Sequence, residues 1–222
     1  MNVLLFGATG MVGQGVLREC LRDPGVERVL ITGRSTAGIK HPKLREKVLQ
    51  DLLRYDAAES DLSGFDACFF CLGVSSAGMK EEHYARVTYL ITTTAAKTLS
   101  RLNPGMTFIY VSAAGADSSE HGRTMWARIK GKTENALMGL PFKAVYVFRP
   151  ALIEPMHGAK SRTASYRIFY ALGKPLFPVL RWAFPNYVLT TEQIGRAMLA
   201  IAWNGWPKQV LESKDIAAVR PG

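Results

Sequence analysis

The first sixteen residues contain the feature that most constrains the fold: an apolar run followed at once by a glycine-rich turn, in VLLFGATGMVGQGV. Gly7, Gly10 and Gly13 have the spacing G-x-x-G-x-x-G, between a predicted strand and a predicted helix. Glycine allows a tight turn, backbone that a ligand can approach, and close packing of the helix on the strand. The exposed N–H groups and the positive end of the helix dipole attract a diphosphate. We therefore predict a dinucleotide-binding turn, to which the intervening residues also contribute: Thr9, Met11 and Val12.

Apolar runs of strand length alternate with helical patterns along the first two thirds of the chain. Strands are predicted at residues 3–6, 29–32, 48–50, 67–71, 108–111 and 144–148. Helices are predicted from the glycine turn to about Leu21 and at residues 81–102 and 123–138. Nearly continuous apolar strands separated by helices are typical of a parallel sheet that is covered on both faces. With right-handed crossovers, this pattern predicts a doubly wound α/β sheet, the Rossmann fold.

The pattern changes after Pro150, so we predict a Rossmann core at residues 1–150 and a small helical cap at residues 151–222, within one compact domain. The cap would cover the carboxyl edge of the sheet, where open α/β folds bind ligands. Its last helix, TTEQIGRAMLAIAW, is predicted to have Thr191 as N-cap and Glu192 in its first turn. Residues 167–184 are aromatic, basic and interrupted by prolines, and an amphipathic surface binder is the alternative there.

The 222 residues, of which 48% are apolar, are sufficient for one domain with a substantial core. No apolar run reaches the roughly 18–20 residues that span a bilayer, and the N-terminus lacks the basic leader of a signal peptide. We therefore expect a cytoplasmic chain without stable membrane insertion. The three cysteines fit a reducing compartment. Cys68 and Cys71 lie in a predicted strand, without a second Cys or His pair nearby, so no metal site is expected.

A formal net charge of +10 favours anionic ligands, phosphates above all. The basic residues are scattered and form no dense run, so we expect no specific binding to nucleic acid. Arg34 follows the second predicted strand, in VLITGRS, where NAD-specific proteins have Asp or Glu. A guanidinium here suits the 2′-phosphate of NADP(H), so NADP(H) is favoured over NAD(H). The alternative is an exposed arginine that contacts nothing.

The sequence resembles the short-chain dehydrogenase/reductase superfamily, most closely its atypical and extended branch of NAD(P)-dependent epimerase/dehydratase-like and TIP30-like proteins. The resemblance extends over about residues 1–150, and more loosely to about Ala202, through GATGMVG, FIYVSAAGAD and VFRPALIEP. It implies an acid after the third strand that holds the adenine amino group, and an Arg-Pro backbone that closes over the nicotinamide. The cofactor-site residues that it implies are Asp51, Leu52, Cys71, Leu72, Gly73, Pro150 and Ile153.

The catalytic signature of this superfamily is a Tyr followed four residues later by a Lys. Lys130 matches, in KGKTE, but Trp126 occupies the tyrosine position, and there is no Tyr from Ser112 to Lys143. The resemblance implies that Lys130 binds the nicotinamide ribose. An indole donates a hydrogen bond but exchanges no proton near neutral pH. Ser112 matches the active-site serine and is expected to orient a carbonyl group.

Another residue would then have to supply the missing acid. His121, in SSEHGRT before the helix of Trp126, has a suitable side chain in a loop that is expected to border the pocket. The alternative is a solvent-exposed loop histidine without a catalytic role. The further candidates are Tyr84, Glu120, His157 and Tyr166.

Two functions fit these residues. The first is an NADP(H)-dependent oxidoreductase or epimerase-like enzyme acting on a small carbonyl or hydroxyl compound, as a monomer or homodimer. The second is a non-catalytic NADP(H)-binding sensor or interaction protein, which would keep the glycine turn and lose the acid. Trp126 favours the second function, whereas Ser112 and Lys130 favour the first, and together they favour the enzyme. A basic adaptor at membranes or nucleic acid is a third hypothesis.

Overall fold

The apolar runs of the sequence form a seven-stranded parallel sheet. The computed structural model describes residues 1–159 and 177–220. The strand order is β3-β2-β1-β4-β5-β6-β9. These strands are β1 (Asn2–Phe6), β2 (Arg28–Gly33), β3 (Leu44–Val48), β4 (Ala67–Phe70), β5 (Thr107–Val111), β6 (Ala144–Arg149) and β9 (Val210–Glu212). A separate parallel pair joins β7 (Leu152–Glu154) to β8 (Val188–Thr190). The prediction of a doubly wound α/β sheet is confirmed.

The helices of the described residues cover the faces of this sheet and follow most of the predicted segments. They are α1 (Met11–Arg22), α2 (Glu81–Ala85), α3 (Ile91–Leu102), α4 (Met125–Met138), α5 (Phe177–Ala183), α6 (Thr191–Asn204) and α7 (Ser213–Ala218). The predicted helix at residues 81–102 is divided by a π turn at Arg86–Leu90. Such turns are frequent at functional sites, and this one lies beside the cavity described below.

The central strands are apolar on both faces because each face packs against its own layer of helices. In β1, Val3 and Leu5 belong to one buried cluster, and Leu4 and Phe6 belong to the other. Side chains alternate between the two faces of a sheet, so a strand that is buried on both faces has no position at which a polar side chain would reach solvent. The same alternation separates Cys68 from Cys71 across β4, as predicted.

The third strand lies earlier than predicted, at Leu44–Val48 rather than at residues 48–50. Its sequence, LREKV, has only one buried residue because β3 is the edge of the sheet and one flank faces solvent. An edge strand does not need a continuous apolar run. The sequence analysis placed the strand on the nearest apolar residues and was therefore wrong by several positions.

The C-terminal third contributes to the core sheet as well as to its carboxyl edge. Strand β9 pairs with β6, and α6 packs against α1 through two glycines. A Cβ on Gly15 would lie 2.5 Å from the Thr191 Cβ, and one on Gly195 would lie 3.0 Å from the Glu19 Cγ. The division at residue 150 remains a prediction, and part of the segment beyond it completes the Rossmann layers.

Helix α6 begins one residue earlier than predicted. Thr190, rather than Thr191, is the N-cap: its side chain accepts a hydrogen bond from the Gln193 N–H, and the Gln193 side chain accepts one from the Thr190 N–H. This reciprocal pair is a capping box, which satisfies two backbone donors at the helix start. Thr191 is buried instead, against Gly15 of α1.

The predicted surface-binding segment at residues 167–184 lies partly outside the described residues. Within its described part, α5 exposes Trp182, with 85% of its surface accessible. In residues 1–159 and 177–220, no helix is both long enough and apolar enough to cross a bilayer. In the same residues, no group of three or more His, Cys, Asp or Glu side chains could hold a metal ion.

The loop between β5 and α4 lies directly on the helix because Gly131 has no side chain. A Cβ at Gly131 would lie 1.7 Å from the Asp117 carbonyl oxygen and 2.9 Å from the Ser118 nitrogen. The Asp117 N–H also donates to the Ala127 carbonyl, at 2.9 Å. This contact fixes the loop and, with it, the N-terminal half of α4, where Trp126 and Lys130 lie.

The substitution Gly131→Ala is expected to lower the free energy of unfolding by about 1–3 kcal/mol, the usual cost of overpacking. The clash with backbone atoms exceeds the gain in helix propensity of about 1 kcal/mol. Urea unfolding followed by circular dichroism measures the change.

Gly139→Ala, at the end of the same helix, is the matched control. A Cβ there would lie 3.7 Å from the Ala136 carbonyl oxygen, an ordinary contact. Its stability is expected to change by less than about 1 kcal/mol. Equal stability of the two variants would contradict the packing described for the loop.

Candidate nucleotide-binding site

A cavity of about 1070 Å³ opens at the carboxyl edge of the sheet, next to the ends of β1 and β4. The chain crosses from one side of the sheet to the other at these two strands, and open α/β sheets bind ligands at such a switch point. Most of the residues singled out in the sequence line it: Gly7, Thr9, Gly10, Met11, Val12, Arg34, Asp51, Leu52, Cys71, Leu72, Gly73, Ser112, Trp126, Lys130, Pro150 and Ile153.

The glycine turn is closed by contacts that only glycine allows. Gly7 has a φ of 79°, and a Cβ there would lie 2.6 Å from the Cys71 carbonyl carbon. A Cβ at Gly13 would lie 2.1 Å from the Gly7 carbonyl oxygen. Gly13 is not among the residues that line the cavity. It supports the site from behind, by letting α1 approach the turn.

The N-terminus of α1 is suited to a diphosphate. Gly10 is its N-cap, no side chain caps the helix, and the first turn contains no acidic residue. The first N–H groups of the helix and its positive dipole end are therefore not neutralised by a carboxylate. These residues fit the pyrophosphate of a dinucleotide, which backbone donors would hold.

Arg34 and Asp51 border the adenosine end that the sequence predicts. Arg34 is exposed, and in residues 1–159 and 177–220 its side chain has no hydrogen bond or ion pair. Asp51 accepts a hydrogen bond from the Leu53 N–H at Oδ1, at 2.9 Å. The second carboxylate oxygen of Asp51 has no such bond among the described residues, and it could accept one from an amino group.

Ser112 is part of a buried polar network that the sequence did not predict. Its hydroxyl donates to Glu134 on α4, and Glu134 also accepts hydrogen bonds from Arg149 at the end of β6. Arg149 further contacts Glu212 at 3.3 Å and donates to Ser118 at 2.7 Å. A hydroxyl has one proton, so Ser112 has none left to donate to a carbonyl group. The expected orienting role is limited to accepting a hydrogen bond.

Glu134 is the centre of this network, with a side chain only 2% exposed. A carboxylate at that depth requires a paired cation, which Arg149 supplies. Burial by itself would lower the pKa of the guanidinium, but the hydrogen bonds and charges of Glu134 and Glu212 together outweigh it, so the pKa is raised. The sequence contains no local signal for this pair, since its members are fifteen positions apart and lie in different elements, α4 and β6.

Lys130 is half-buried, one helical turn after Trp126. Its Nζ lies 5.5 Å from the centre of the Tyr110 ring, which presents its face to the cation. Burial lowers the pKa of Lys130 to about 8, although the charge of Glu134 acts in the opposite direction. An amine with such a pKa exchanges its proton close to neutral pH.

Trp126 lines the cavity from the first turn of α4. Its ring lies against the β5–α4 loop, where a Cβ on Gly115 would be 3.5 Å from the indole. The position that a catalytic tyrosine would occupy is therefore filled by an aromatic ring without an exchangeable proton.

The other candidate acids lie in different places. Tyr84 is buried and lines the cavity, as does the exposed His83, which sequence reasoning missed although it lies next to Tyr84. Glu120 accepts a hydrogen bond from Asn135 at 2.8 Å, and His157 contacts Glu192 at 2.7 Å. Neither of these two lines the cavity. Tyr166 lies outside the described residues.

The expectation that His121 borders the pocket is wrong for this geometry. Asp117 closes the loop on itself by accepting hydrogen bonds from the N–H groups of Ser119, at 3.0 Å, and Gly122, at 2.7 Å. His121 lies in this exposed turn and does not line the cavity. The Ser119 hydroxyl also donates to Asp117, at 2.6 Å, and this hydrogen bond is the largest cause of the lowered pKa of Asp117, followed by that from the Gly122 N–H.

A family model now identifies the fold more closely. The family described as semialdehyde dehydrogenase, NAD binding domain, matches residues 2–113, half of the chain. The chain belongs to this family. Its structural neighbours and relatives agree with the atypical short-chain dehydrogenase/reductase superfamily, so the resemblance found in the sequence is confirmed and the chain has an NAD(P)-binding Rossmann fold.

Curated relatives extend beyond the matched domain. Protein fmp52, mitochondrial, from Aspergillus fumigatus is 29% identical over 179 residues, which cover 78% of this chain and 74% of the relative. Protein HTATIP2 from Rattus norvegicus is 25% identical over 222 residues, covering 97% of this chain and 87% of the relative.

Two solved structures support the fold. The enzyme WbmF from Bordetella bronchiseptica, in complex with NAD+, has a TM-score of 0.70 at 17% identity, covering 97% of this chain and 76% of that one. Gre2 from Candida albicans, in complex with NADPH, has a TM-score of 0.71 at 12% identity, covering 96% and 77%. Members of this fold family thus include complexes with either nucleotide.

The substitution Glu134→Gln is expected to lower the free energy of unfolding by about 1.5–3 kcal/mol, because it removes the charged partner of the main Arg149 hydrogen bonds and leaves only the contact with Glu212. Thermal and urea unfolding measure the loss.

Glu81→Gln is the matched control. It breaks the exposed ion pair between Glu81 of α2 and Arg128 of α4, the helix that also contains Glu134. An exposed pair contributes less than about 1 kcal/mol. If both variants lost the same stability, the central place of Glu134 in the network would be disproved.

Proposed function

We propose that the protein binds NADP(H) in preference to NAD(H) and transfers hydride to or from a small carbonyl or hydroxyl compound. The observation that supports this most directly is Arg34, an exposed cation that lines the cavity and has no partner among the described residues. A guanidinium without a carboxylate partner suits a phosphate monoester by paired, charge-assisted hydrogen bonds. The 2′-phosphate distinguishes NADP(H) from NAD(H).

The residues around the cavity divide between the parts of such a cofactor. The glycine turn and the start of α1 would hold the pyrophosphate, and Asp51 would accept from the adenine amino group. Lys130 would donate to the nicotinamide ribose, next to the backbone of Pro150 and Ile153. When bound, NADPH would supply the hydride for reduction and NADP+ would accept it in oxidation. The chain supplies position, charge and the exclusion of water.

Thiol chemistry is not supported at this cavity. Cys71 is the cysteine that lines it among the described residues. Burial raises the pKa of Cys71 well above its ordinary value, so the group is a thiol at neutral pH. A thiolate, rather than a thiol, attacks an aldehyde carbon. A covalent route through cysteine is therefore disfavoured, and direct hydride transfer is the simpler proposal.

The alternative is a non-catalytic NADP(H)-binding sensor, which Trp126 and the engaged Ser112 hydroxyl favour. A screen of aldehydes and ketones for loss of NADPH absorbance separates the two. Turnover supports the enzyme, and tight NADPH binding without turnover across the panel supports the sensor.

The cytoplasm remains the proposed location; fungal relatives are named mitochondrial, and cell fractionation decides between the two compartments.

The substitution Arg34→Gln is expected to weaken NADPH binding about 10- to 100-fold, because charged hydrogen bonds contribute roughly 1.5–3 kcal/mol. NADH binding should change by less than about twofold, since NADH lacks the phosphate. Isothermal titration calorimetry measures both.

Lys40→Gln is the control, since it removes one positive charge from an exposed residue that does not line the cavity. It should leave both affinities nearly unchanged. An equal loss of NADPH binding in the two variants would mean that only net charge matters, and the assignment of Arg34 would be lost.

NADPH is also expected to quench tryptophan fluorescence, because Trp126 would lie beside the nicotinamide. Trp126→Phe should remove most of this quenching while the remaining tryptophans still emit. Titration of both proteins with NADPH at equal concentration provides the comparison. Full quenching in the variant would show that Trp126 does not contact the nicotinamide end.

A further inference from the structure

Trp126 occupies the position of the phenol that usually exchanges a proton with the substrate oxygen, and neither Trp126 nor Ser112 replaces that phenol. Tyr84 and His83 also line the cavity but belong to α2, whereas Lys130 is on the same helix as Trp126. The Trp126 N–H is not acidic, and the Ser112 proton is directed to Glu134. Neither group can give up a proton near neutral pH in this arrangement. Lys130 lies one helical turn from Trp126 and also lines the cavity.

We propose that Lys130 is itself the proton donor and acceptor of the reaction, in addition to its part in holding the cofactor. This rests on the proposed reductase function. When NADPH is bound, it supplies the hydride to the carbonyl carbon. Lys130 releases a proton from its ammonium Nζ to the carbonyl oxygen, which gives the alcohol, NADP+ and a neutral amine. Water then reprotonates the amine, so that charge and atoms balance over the cycle.

The geometry leaves the Lys130 ammonium without a carboxylate partner. Glu134 lies four residues further along α4 and would be the natural partner. It is instead engaged by Arg149 and by Ser112. In residues 1–159 and 177–220, no hydrogen bond or ion pair involves the Lys130 side chain, whose described contact is the Tyr110 ring. Its N–H donors are therefore available to a ligand in the cavity.

The titratable groups around Lys130 come from four elements. Tyr110 faces it from β5, Tyr84 and His83 line the same cavity from α2, and Glu134 and Arg149 form an ion pair between α4 and β6. Burial raises the pKa of the Tyr110 phenol, so this ring is a neutral neighbour. The charge of Glu134 raises the pKa of Lys130, and the ion pair of Glu134 with Arg149 opposes this effect.

The pH dependence follows from the amine. Burial lowers the Lys130 pKa to about 8, so the ammonium is present below that pH and is lost above it. Reduction of a carbonyl needs the ammonium, and its rate should fall as pH rises through about 8. Oxidation of an alcohol needs the neutral amine, and its rate should rise over the same interval. A general acid is most effective when its pKa lies near the working pH.

Lys130→Arg separates proton transfer from cofactor binding. A guanidinium keeps the charge and the hydrogen-bond donors but cannot release a proton in this range. We expect NADPH affinity within about threefold of the wild type, and a single-turnover rate with p-nitrobenzaldehyde at least about 100-fold lower, the usual scale of general-acid catalysis. The break near pH 8 should disappear. Lys132→Met, which removes an exposed lysine whose Nζ packs on Tyr89, should retain both the rate and the break.

A second readout does not depend on turnover. In the wild-type protein labelled with [¹³Cε]lysine and bound to NADPH, the Lys130 signal, assigned by its loss in Lys130→Arg, should titrate near pH 8. Titration near the ordinary value of about 10.4 overturns the proposal, as does an active Lys130→Arg with an unchanged pH profile. Absence of NADPH binding would instead overturn the proposed function. Binding without reduction of any aldehyde by the wild type would overturn both the reductase activity and the role of Lys130 in it.

Discussion

The contact between the start of α1 and the end of β1 is the constraint on which the rest of the site depends. Gly13 lets the helix approach the Gly7 carbonyl, and Gly7 lets the turn approach the backbone at Cys71. Any side chain at these positions would separate the helix from the sheet. The cavity at the β1–β4 switch point, the direction of the α1 dipole and the place of the bare N–H groups all follow from this packing.

A second constraint is the buried carboxylate of Glu134, which must be paired to stay in the core. Arg149 supplies the opposite charge, and the Ser112 hydroxyl donates a hydrogen bond. Ser112, which the family resemblance assigns to the substrate, and Arg149, at the end of β6, are thereby joined in one network with Glu134. As a consequence, Ser112 has no proton left to donate to a substrate, and Glu134 forms its hydrogen bonds with Arg149 and Ser112 rather than with Lys130. Burial, acting against the charge of Glu134, lowers the pKa of the Lys130 amine to about 8.

The sequence was sufficient for the parts that depend on local pattern. The glycine turn, the central strands and helix α4 were predicted because each has its own periodicity or spacing. The edge strand β3 was misplaced because LREKV is polar on its open side. Glu134 was missed as a site residue because its partners Ser112 and Arg149 lie far from it in sequence. His83 was missed because only the fold brings α2 to the cavity. His121 was misjudged because hydrogen bonds to the Asp117 side chain, rather than its distance from Trp126, determine where the loop lies.

The most direct test is a ¹H–¹⁵N NMR titration of the wild-type chain with NADPH. The account predicts saturable shifts that are largest at the amides of Gly10, Met11 and Val12, where backbone donors would meet the pyrophosphate. Shifts confined to other parts of the chain, or no shift at millimolar NADPH, would contradict it.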